Sequence, residues 1–369
     1  MIRILHSVSV MDRGGQETFI MNVYRNIDRQ KVQFDFLCSL NKKGDYDEEI
    51  RALGGKIIYL DIEQKGNKFS KYYYKVKNMS KFLLKLAPNY DIIHLHNYHA
   101  FSAYISVAAC KKAGFKNIIL HSHNSLAPRP MLHKIFKPLL GMQKITRYAC
   151  SQEAGKWLHG KKKFNVIYNG IDMSKFEYDM QIRRELRSEL GVEYDIVVGM
   201  VGRFNFQKNH LFALEVFANC VKLKPNVKLL LVGKGELEQE IREKIKQLNL
   251  QDNVILLGTR TDVDKLMSAF DVLFMPSIFE GLSLVLVEAQ ACRLPIVVSD
   301  VVTKDTFISS AIQTVNLTED KDVWAKKIID STCADRNKIT VDREKFNIIA
   351  VASDLISKYK AICEREQAE

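Results

Sequence analysis

Two glutamates, Glu280 and Glu288, stand eight residues apart in a pattern that suits ligand binding. Glu280 lies in a loop, residues 276–283, that follows a predicted strand, and Glu288 lies in the apolar run 284–291 after it. A helix that is apolar nearly all round is buried, so a carboxylate within it requires a partner. The simplest role for Glu288 is to accept hydrogen bonds from two ribose hydroxyls, and the alternative is an exposed helical glutamate.

The residues between these glutamates could bring backbone N–H groups to the same ligand. Gly281 would let a ligand approach the backbone closely, and Ser283, after Leu282, could cap the next helix. Backbone N–H groups at a helix start face an anion or sugar hydroxyls. The loop is therefore a candidate anion or sugar site.

Two cations, Arg203 and Lys208, follow Gly202 in the loop after another predicted strand. A fixed guanidinium and a flexible ammonium suit a diphosphate whose negative charge grows as a bond breaks. Because these cations would do what magnesium does elsewhere, we expect neither a metal nor another cofactor. The alternative is a pair of solvated surface charges.

Glycine pairs mark two further loops. Gly14 and Gly15 follow the first predicted strand and could present bare N–H groups to a phosphate, although a Gly-Gly pair is common. The segment Val232-Gly233-Lys234-Gly235 lacks the third glycine of a dinucleotide-binding loop. A plain turn after a strand is the favoured interpretation of that segment.

Histidines cluster as two His-x-His pairs, His94 with His96 and His121 with His123. Alternate residues on a strand point the same way, so each pair could form half of a metal site. A metal hydrolase would also need carboxylate ligands, and residues 92–152 contain none. We expect instead that one histidine at a strand end, His123 or His121, hydrogen-bonds a substrate.

Short apolar runs alternate with longer amphipathic stretches along the chain, which predicts an α/β fold with parallel, doubly wound sheets. The predicted strands are residues 2–6, 34–38, 56–60, 92–95, 118–121, 165–167, 196–201, 228–232, 254–257, 272–275 and 296–299. These are too many for one sheet, and the polar stretch 169–193 is the natural boundary. The sequence therefore predicts two Rossmann-like domains with a cleft between them, and ligands at the carboxyl ends of the strands.

The composition is that of a globular protein, with 47% apolar and 27% charged residues among 369. It excludes disordered and collagen-like chains. The seven cysteines are scattered and contain no C-x-x-C pair, so a reducing cytoplasm fits better than a disulfide framework. No run reaches the ~18 apolar residues of a membrane span, so we expect none.

The net charge of +12 is unevenly distributed. Residues 1–170 hold 28 basic and 12 acidic side chains, a net +16, whereas residues 171–369 hold 27 and 31, a net −4. Two predicted amphipathic helices carry much of the basic charge, one with lysines from Lys68 to Lys85 and one with cations from Lys134 to Arg147. Each helix packs on a sheet with a solvated basic face, or it contacts an anionic membrane.

Together these motifs resemble the retaining GT-B glycosyltransferases of glycosyltransferase family 4. The resemblance covers most of the chain and rests on Gly14-Gly15-x-Glu17, His123-Asn124, Asn169-Gly170-Ile171-Asp172, Gly202-Arg203 with Lys208-Asn209, and Glu280-x7-Glu288. The phrase His121-Ser122-His123-Asn124 and residues 150–158 further resemble the bacterial exopolysaccharide and capsule branch.

The resemblance implies a donor site in the second domain. Arg203 and Lys208 would hold the donor diphosphate, and Glu288 would bind the ribose hydroxyls. The backbone between Arg260 and Val263 would contact the base.

The resemblance also implies how the sugar is held and how the domains are joined. Glu280 and the backbone of Gly281, Leu282 and Ser283 would contact the donor sugar, and His123 would contact its hydroxyls from the first domain. The second domain would span 171–345, and a final helix, about 346–369, would pack back on domain 1–170. Domain closure would bring His123 and Gly15 onto the donor.

The expected function is transfer of a sugar from a nucleotide diphosphate sugar, a UDP-sugar, to a lipid-linked saccharide, with retention of anomeric configuration, in exopolysaccharide or capsule synthesis. The alternatives are a UDP-sugar 2-epimerase of similar architecture and a basic module that binds anionic lipid or nucleic acid. Nothing in the sequence resembles an aromatic-basic nucleic-acid motif, so no nucleic acid is expected. The enzyme would be cytoplasmic and peripheral at the inner face of the plasma membrane.

Overall fold

Apolar runs of the first half of the chain form a parallel sheet. The strands are β1 (Ile2–Val8), β2 (Val32–Cys38), β3 (Ile57–Tyr59), β4 (Ile92–His96), β5 (Asn117–Ser122), β6 (Thr146–Ala149) and β7 (Asn165–Val166). Their order across the sheet is β3-β2-β1-β4-β5-β6-β7. The structure, a computed structural model, describes residues 1–60, 70–124, 130–280 and 282–367, so Lys68 and Gly281 lie outside the described residues.

Helices cover both faces of this sheet. They are α1 (Gly15–Arg25), α2 (Asp47–Ala52), α3 (Ser70–Leu86), α4 (Ala100–Lys112), α5 (Pro130–Gly141) and α6 (Gln152–His159). Neighbouring residues of a strand point to opposite faces. Thus Ile4 of β1 packs in a core with Phe19 of α1, whereas Leu5 packs in a second core with Val107 of α4. Both faces are dry, which explains why the strands are apolar throughout.

The second half of the chain forms another parallel sheet. Its strands are β8 (Ile196–Val201), β9 (Val227–Val232), β10 (Val254–Gly258), β11 (Val272–Met275), β12 (Ile296–Ser299) and β13 (Ile312–Val315), in the order β10-β9-β8-β11-β12-β13. Its helices are α7 (Met180–Glu189), α8 (His210–Leu223), α9 (Glu238–Gln247), α10 (Val263–Ala269), α11 (Leu284–Ala291) and α12 (Lys321–Ser331). The α/β class with two doubly wound parallel sheets is confirmed.

The chain divides into two compact units, Met1–Gly170 with Phe346–Glu369, and Ile171–Lys345. The last helix, α13 (Ile348–Gln367), belongs to the first unit. Leu355 and Tyr359 of α13 are buried in the same core as Phe19 of α1. A side chain at Gly170 would place its Cβ 2.9 Å from the Cα of Ile348, so the returning helix fits closely against the end of the first segment.

In each sheet, successive strands are added first on one side of the first strand and then on the other side. The boundary between the two directions is the topological switch point. In the first sheet this switch lies between β1 and β4, and in the second between β8 and β11. The loops that leave two such strands diverge, which opens a crevice at their carboxyl ends. The loops 202–209 and 276–283 flank the switch of the second sheet.

Two strands, β6 and β13, were not among the predicted ones. β6 reads Thr-Arg-Tyr-Ala, and its Arg147 was predicted to lie on the basic face of an amphipathic helix. That prediction is wrong, because the Arg147 guanidinium donates to the backbone oxygens of Gly141, Gln143 and Ile145 at 2.7–3.2 Å. Arg147 therefore binds the last carbonyl of α5 and two carbonyls of the segment that joins α5 to β6.

The two basic helices differ in what they expose. On α3, Met79 and Leu83 are buried against the sheet, whereas Lys81 and Lys85 are exposed. The described side chains of this helix therefore fit the interpretation of a helix packed on the sheet with a solvated basic face. On α5, by contrast, the apolar side chain of Ile135 is 62% exposed. Within the described part of the chain, no helix is both long and apolar enough to span a bilayer.

Candidate active site

The loops at the switch of the second sheet bring Lys208 and Glu280 together. The Lys208 Nζ lies 2.6 Å from Glu280 Oε1, and the two side chains are only 13% and 6% exposed. Ser277 Oγ donates to the same carboxylate oxygen at 2.7 Å, and Gln207 Nε2 donates to Oε2 at 3.2 Å. A cation and a carboxylate from separate strands thus share one satisfied polar cluster.

Local backbone contacts fix this pair. The Asn205 side chain accepts from the backbone N–H of Lys208 at 3.2 Å. Asn209 adopts the left-handed conformation at φ 60°, and its Nδ2 donates to the carbonyl of Pro276 at 3.2 Å. The N–H of Ile278 donates to the carbonyl of Gln207 at 2.8 Å. These bonds tie loop 202–209 to loop 276–283 before any ligand binds.

Glycines allow the neighbouring loops to approach one another. Gly202 and Gly233 have φ values of 155° and 141°, which disfavour other residues. A Cβ at Gly233 would lie 2.0 Å from the carbonyl oxygen of Gly202, and one at Gly235 would lie 2.2 Å from that of Phe204. The glycines of 232–235 therefore serve a close packing of loops after β8 and β9, as the turn interpretation predicts.

Arg203 pairs with a different carboxylate from Lys208. Its guanidinium contacts Glu236 at 3.1 Å, and the side chains are 71% and 56% exposed. Exposed ion pairs contribute little and exchange readily with water. Arg203 is thus a surface cation beside the loop, available to another anion at small cost.

The start of α11 differs from the prediction in one respect. Ser283 occupies the position before the helix, but its hydroxyl makes no capping hydrogen bond and lies 3.7 Å from the sulfur of Met275. The prediction that Ser283 caps the helix is therefore wrong. Leu282, which precedes Ser283, is partly exposed. The first turn of α11 thus has no side-chain cap, which leaves it suited to a ligand oxygen.

Glu288 lies one turn into α11. Burial raises the pKa of its carboxyl from 4.5 to about 7, and the nearby Asp264 raises it further. Its carboxylate makes no hydrogen bond or ion pair with any residue that the structure describes. A carboxyl group without a cation is suited to hydroxyl partners, which satisfy it without adding charge.

The predicted base-binding segment, residues 260–263, begins with an ion pair between Arg260 and Asp262. Arg260 donates to Asp262 through Nε at 2.8 Å and through its second terminal nitrogen at 2.7 Å. This contact lowers the pKa of Asp262 and raises that of Arg260. Val263 begins α10, whose Asp264 lies near Glu288. The guanidinium of Arg260 is engaged, so the backbone is the part of this segment that offers hydrogen bonds.

In the first unit, Gly15 begins α1 and Gly14 precedes it without a side-chain cap. A Cβ at Gly15 would meet no atom of the described residues within 4 Å, so the space beside it is open. Glu17, in the first turn, has a raised pKa, chiefly because it is partly buried and also because Asp12 is near.

His123 follows β5, and His121 lies within that strand. His121 is fully buried, whereas His123 is partly exposed, so of the two predicted candidates only His123 has surface to offer a substrate. The ring of Phe19 in α1 lies 5.7 Å from that of His123. The helix that starts at Gly15 and the strand that ends before His123 therefore meet in the first unit.

A cavity of about 620 Å³ lies at the carboxyl ends of β1, β2 and β4. Its wall mixes polar groups, such as Glu17 and Asn97, with apolar ones, such as Leu37 and Ile105. His96 also lines it. This is the switch point of the first sheet, where the fold predicts a ligand.

Several residues of these sites were missed by the sequence interpretation. Gln207 and Ser277 support Glu280, Glu236 holds Arg203, and Asp264 tunes Glu288. Gln207 and Ser277 lie in loops already singled out, so their position was a usable signal. Glu236 and Asp264 come from other strand ends, and only the strand order brings them close.

Comparison with known proteins identifies the family. A family model described as Glycosyltransferase Family 4 matches residues 13–175, and one described as Glycosyl transferases group 1 matches residues 182–332. The putative glycosyltransferase EpsF of Bacillus subtilis (strain 168) is 35% identical over 349 residues, 91% of this chain and 89% of that protein.

Two further similarities are informative. The UDP-Gal:alpha-D-GlcNAc-diphosphoundecaprenol alpha-1,3-galactosyltransferase of Escherichia coli is 28% identical over 60% of this chain and 61% of its own. The solved structure of Anabaena Alr3699/HepE in complex with UDP-glucose has a TM-score of 0.72 at 20% identity and covers 100% of both chains. The chain therefore belongs to glycosyltransferase family 4 and has the GT-B fold, and it is a glycosyltransferase.

Proposed function

We propose that this glycosyltransferase moves a sugar from a UDP-sugar to a lipid-linked saccharide, with retention at the anomeric carbon, in exopolysaccharide or capsule synthesis. The observation that carries the proposal is the Lys208–Glu280 pair at the switch of the second sheet. Its ammonium suits a phosphate oxygen and its carboxylate suits sugar hydroxyls. The UDP-glucose bound in the Anabaena structure and the UDP-Gal in the galactosyltransferase's name support the choice of donor.

The leaving diphosphate would be stabilised by cations and backbone dipoles. Lys208 supplies a buried ammonium, Arg203 an exposed guanidinium, and α11 an N-terminus without a side-chain cap. Such groups lower the barrier because they act on charge that develops as the bond breaks. The proposal includes no metal, so we expect turnover to survive treatment with EDTA.

The nucleoside would be held by Glu288 and by the backbone from Arg260 to Val263. Glu288 has no cation partner among the described residues, which supports a role toward neutral ribose hydroxyls. The engaged Arg260 side chain supports recognition of the base by backbone groups.

The sugar would be held by Glu280, by Leu282 and Ser283, and by His123 and Gly15 of the first unit. Glu280 already binds Lys208, Gln207 and Ser277, which supports a binding role over that of a covalent nucleophile. Retention would then follow from entry of the acceptor on the face that the diphosphate leaves. The anomeric configuration of the product, read from its NMR coupling constants, tests this part.

The acceptor would occupy the cavity at the switch of the first sheet. Its mixture of polar and apolar walls suits a saccharide joined to a lipid diphosphate. The Escherichia coli relative is named for a diphosphoundecaprenol acceptor, which supports this class.

An anionic membrane surface is the proposed partner of α5. Met131 and Ile135 are 78% and 62% exposed, and Lys134 between them is exposed too. Apolar side chains beside cations are typical of helices that lie in a membrane interface. The net charge of +16 in residues 1–170 would add attraction to anionic lipid.

One experiment tests the donor and the reaction. Thermal unfolding is measured with UDP-, GDP- and ADP-linked sugars, because a ligand of the native state raises its melting temperature. The stabilising donor is then incubated with and without a diphosphoundecaprenol-linked saccharide. Product that requires the acceptor supports the proposal, whereas conversion of the donor alone indicates an epimerase.

Arg203→Ala should lose turnover and keep donor binding. Full turnover in this variant would contradict the proposal that Arg203 stabilises the leaving diphosphate.

A second experiment tests the membrane. Vesicles of neutral lipid, with and without about a third of anionic lipid, are sedimented with the protein at low and high salt. We expect binding to anionic vesicles that Ile135→Ser with Lys134→Glu abolishes and that the matched exposed change Lys326→Glu in α12 preserves. No sedimentation at low salt would return the positive charge to a role in solubility.

A further inference from the structure

The first sheet collects five histidines into one layer. In the register of the sheet, His6 of β1 lies beside His94 of β4, and His96 of β4 lies beside His121 of β5. Because alternate residues share a face, His123 extends the same layer. Four of the rings are buried, those of His6, His94, His96 and His121, and His123 is partly exposed. The proposed function gives a direct contact with the donor sugar only to His123, although His96 also lines the cavity proposed for the acceptor.

Three of these rings form a hydrogen-bonded chain. His6 Nδ1 lies 2.9 Å from His96 Nε2, and His96 Nδ1 lies 2.8 Å from His123 Nε2. The two end atoms, His6 Nε2 and His123 Nδ1, are buried and have no partner among the described residues. We call this chain, His6–His96–His123, the imidazole relay.

The members of the relay are neutral. Burial lowers the pKa of His6 and of His123 to about 3 and that of His96 well below 6.5, and the other causes are neighbouring histidines. A neutral imidazole has one donor nitrogen and one acceptor nitrogen. The relay therefore has two arrangements: all three rings carry the proton on Nδ1, or all three carry it on Nε2. In the first His123 Nδ1 is a donor, and in the second it is an acceptor.

The other two rings form a second chain, whose direction is fixed. Tyr359 Oη lies 2.6 Å from His94 Nδ1, and His94 Nε2 lies 3.2 Å from His121 Nδ1. Burial holds the pKa of Tyr359 well above 10, so its hydroxyl stays protonated. If it did not donate to His94, its proton would be buried without an acceptor. His94 and His121 therefore both carry the proton on Nε2, and the relay alone keeps two arrangements.

The distances favour hydrogen bonds over a metal site. Three-ring groups such as His6, His94 and His96 have nitrogens close enough to one another to suggest a metal. Two imidazole nitrogens bound to one tetrahedral zinc at 2.0–2.1 Å lie about 3.3 Å apart. The 2.8 and 2.9 Å separations within the relay are hydrogen-bond lengths instead.

We propose that His96, supported by His6, is a positioning residue that sets, through the imidazole relay, whether Nδ1 of His123 donates or accepts a hydrogen bond at the sugar site. This rests on the proposed contact between His123 and the donor sugar. In each of its two arrangements the relay gives His123 one tautomer without any buried charge, which a carboxylate partner would introduce.

Two substitutions of His96 separate the links. An asparagine amide replaces Nδ1, so His96→Asn keeps the bond to His123 and loses the one to His6. A glutamine amide replaces Nε2, so His96→Gln keeps the bond to His6 and loses the one to His123. We expect kcat to fall about tenfold or more in His96→Gln and less than threefold in His96→Asn. Affinity for UDP should be unchanged in both variants, because UDP lacks the transferred sugar that His123 would contact. Equal losses of kcat would overturn the proposal.

The unsubstituted protein supplies a test that needs no variant. Two-bond ¹H–¹⁵N spectra of ¹⁵N-histidine-labelled protein at pH 7 distinguish the two tautomers. We expect His6, His96 and His123 to share one tautomer, and His94 and His121 to be protonated on Nε2. Mixed tautomers in the relay, a charged ring, or a stoichiometric zinc ion that shifts these signals and survives dialysis would overturn the relay. If no donor is turned over, the proposed function fails while these spectra still judge the relay.

Discussion

At the scale of single residues, Glu288 shows how burial sets the chemistry of a carboxyl group. Its pKa is about 7 in the folded protein, because burial and then Asp264 disfavour its charge, against 4.5 ordinarily. Between these values the folded state holds a proton that the unfolded state has released. Glu288 therefore favours folding below pH 4.5, and this contribution is lost as the pH rises to about 7.

This predicts a change in the pH dependence of stability. Wild-type protein should lose about 2 kcal/mol of unfolding free energy between pH 4.5 and 7.5 through this one group, after allowance for its partial exposure. Glu288→Gln should lack that loss. Urea unfolding of both proteins across the range measures the difference, and parallel pH curves would contradict the assignment.

The Lys208–Glu280 pair predicts a strong energetic coupling. Removal of one partner leaves a charge with little exposure and no counter-ion, so Lys208→Met and Glu280→Gln should each cost about 3 kcal/mol of stability. The double variant should cost much less than their sum, because no lone charge remains. Urea unfolding of all four proteins closes the cycle. Additive losses would show that the pair is not coupled.

The family resemblance implied that Lys208, Glu280 and Glu288 share a donor site. The structure places Lys208 and Glu280 in contact at the switch of the second sheet, and Glu288 in the helix that follows. The sequence interpretation did not predict that Lys208 and Glu280 bind each other, because that depends on how two loops fold. It assigned Ser283 a cap from its position, but the hydroxyl takes another direction.

At the scale of elements, two loop glycines predict opposite effects of an added side chain, one on turnover and the other on stability. Gly15→Ala should keep wild-type stability, because nothing among the described residues lies near the added Cβ, yet it should slow turnover if a phosphate must approach. Gly233→Ala should lose about 3 kcal/mol or more, because its Cβ would overlap the Gly202 carbonyl. Thermal unfolding and turnover of both variants test this. Unchanged turnover in Gly15→Ala would remove that glycine from the site.

The strands were predictable where they are apolar, since both faces of each sheet are covered. β6 and β13 were not, because Thr146, Arg147 and Gln313 make them read as polar segments. Arg147 is accommodated in a strand because its guanidinium reaches the carbonyl groups at and after the end of α5. These carbonyl groups lie only two to six residues before Arg147, but they accept its guanidinium only because α5 ends at Gly141 and the chain turns into β6, which the hydrophobic pattern does not show.

At the scale of the whole molecule, the discontinuous first unit predicts an asymmetry between fragments. Ile348, Val351, Leu355 and Tyr359 of α13 complete its core, so residues 1–170 alone should fail to fold. Residues 171–345 contain both of their own cores and should fold alone. Circular dichroism and urea unfolding of the two fragments test this. A cooperative transition in 1–170 would show that α13 is dispensable.

The return of the chain to the first unit also sets the order in which the two units can fold during synthesis. The segment that completes the first unit leaves the ribosome only after the whole second unit has emerged. Until then Tyr359 is absent from the histidine layer, and His94 lacks the hydroxyl that fixes its tautomer. A nascent chain would therefore hold a folded second unit while the first unit still lacks the helix that completes its core.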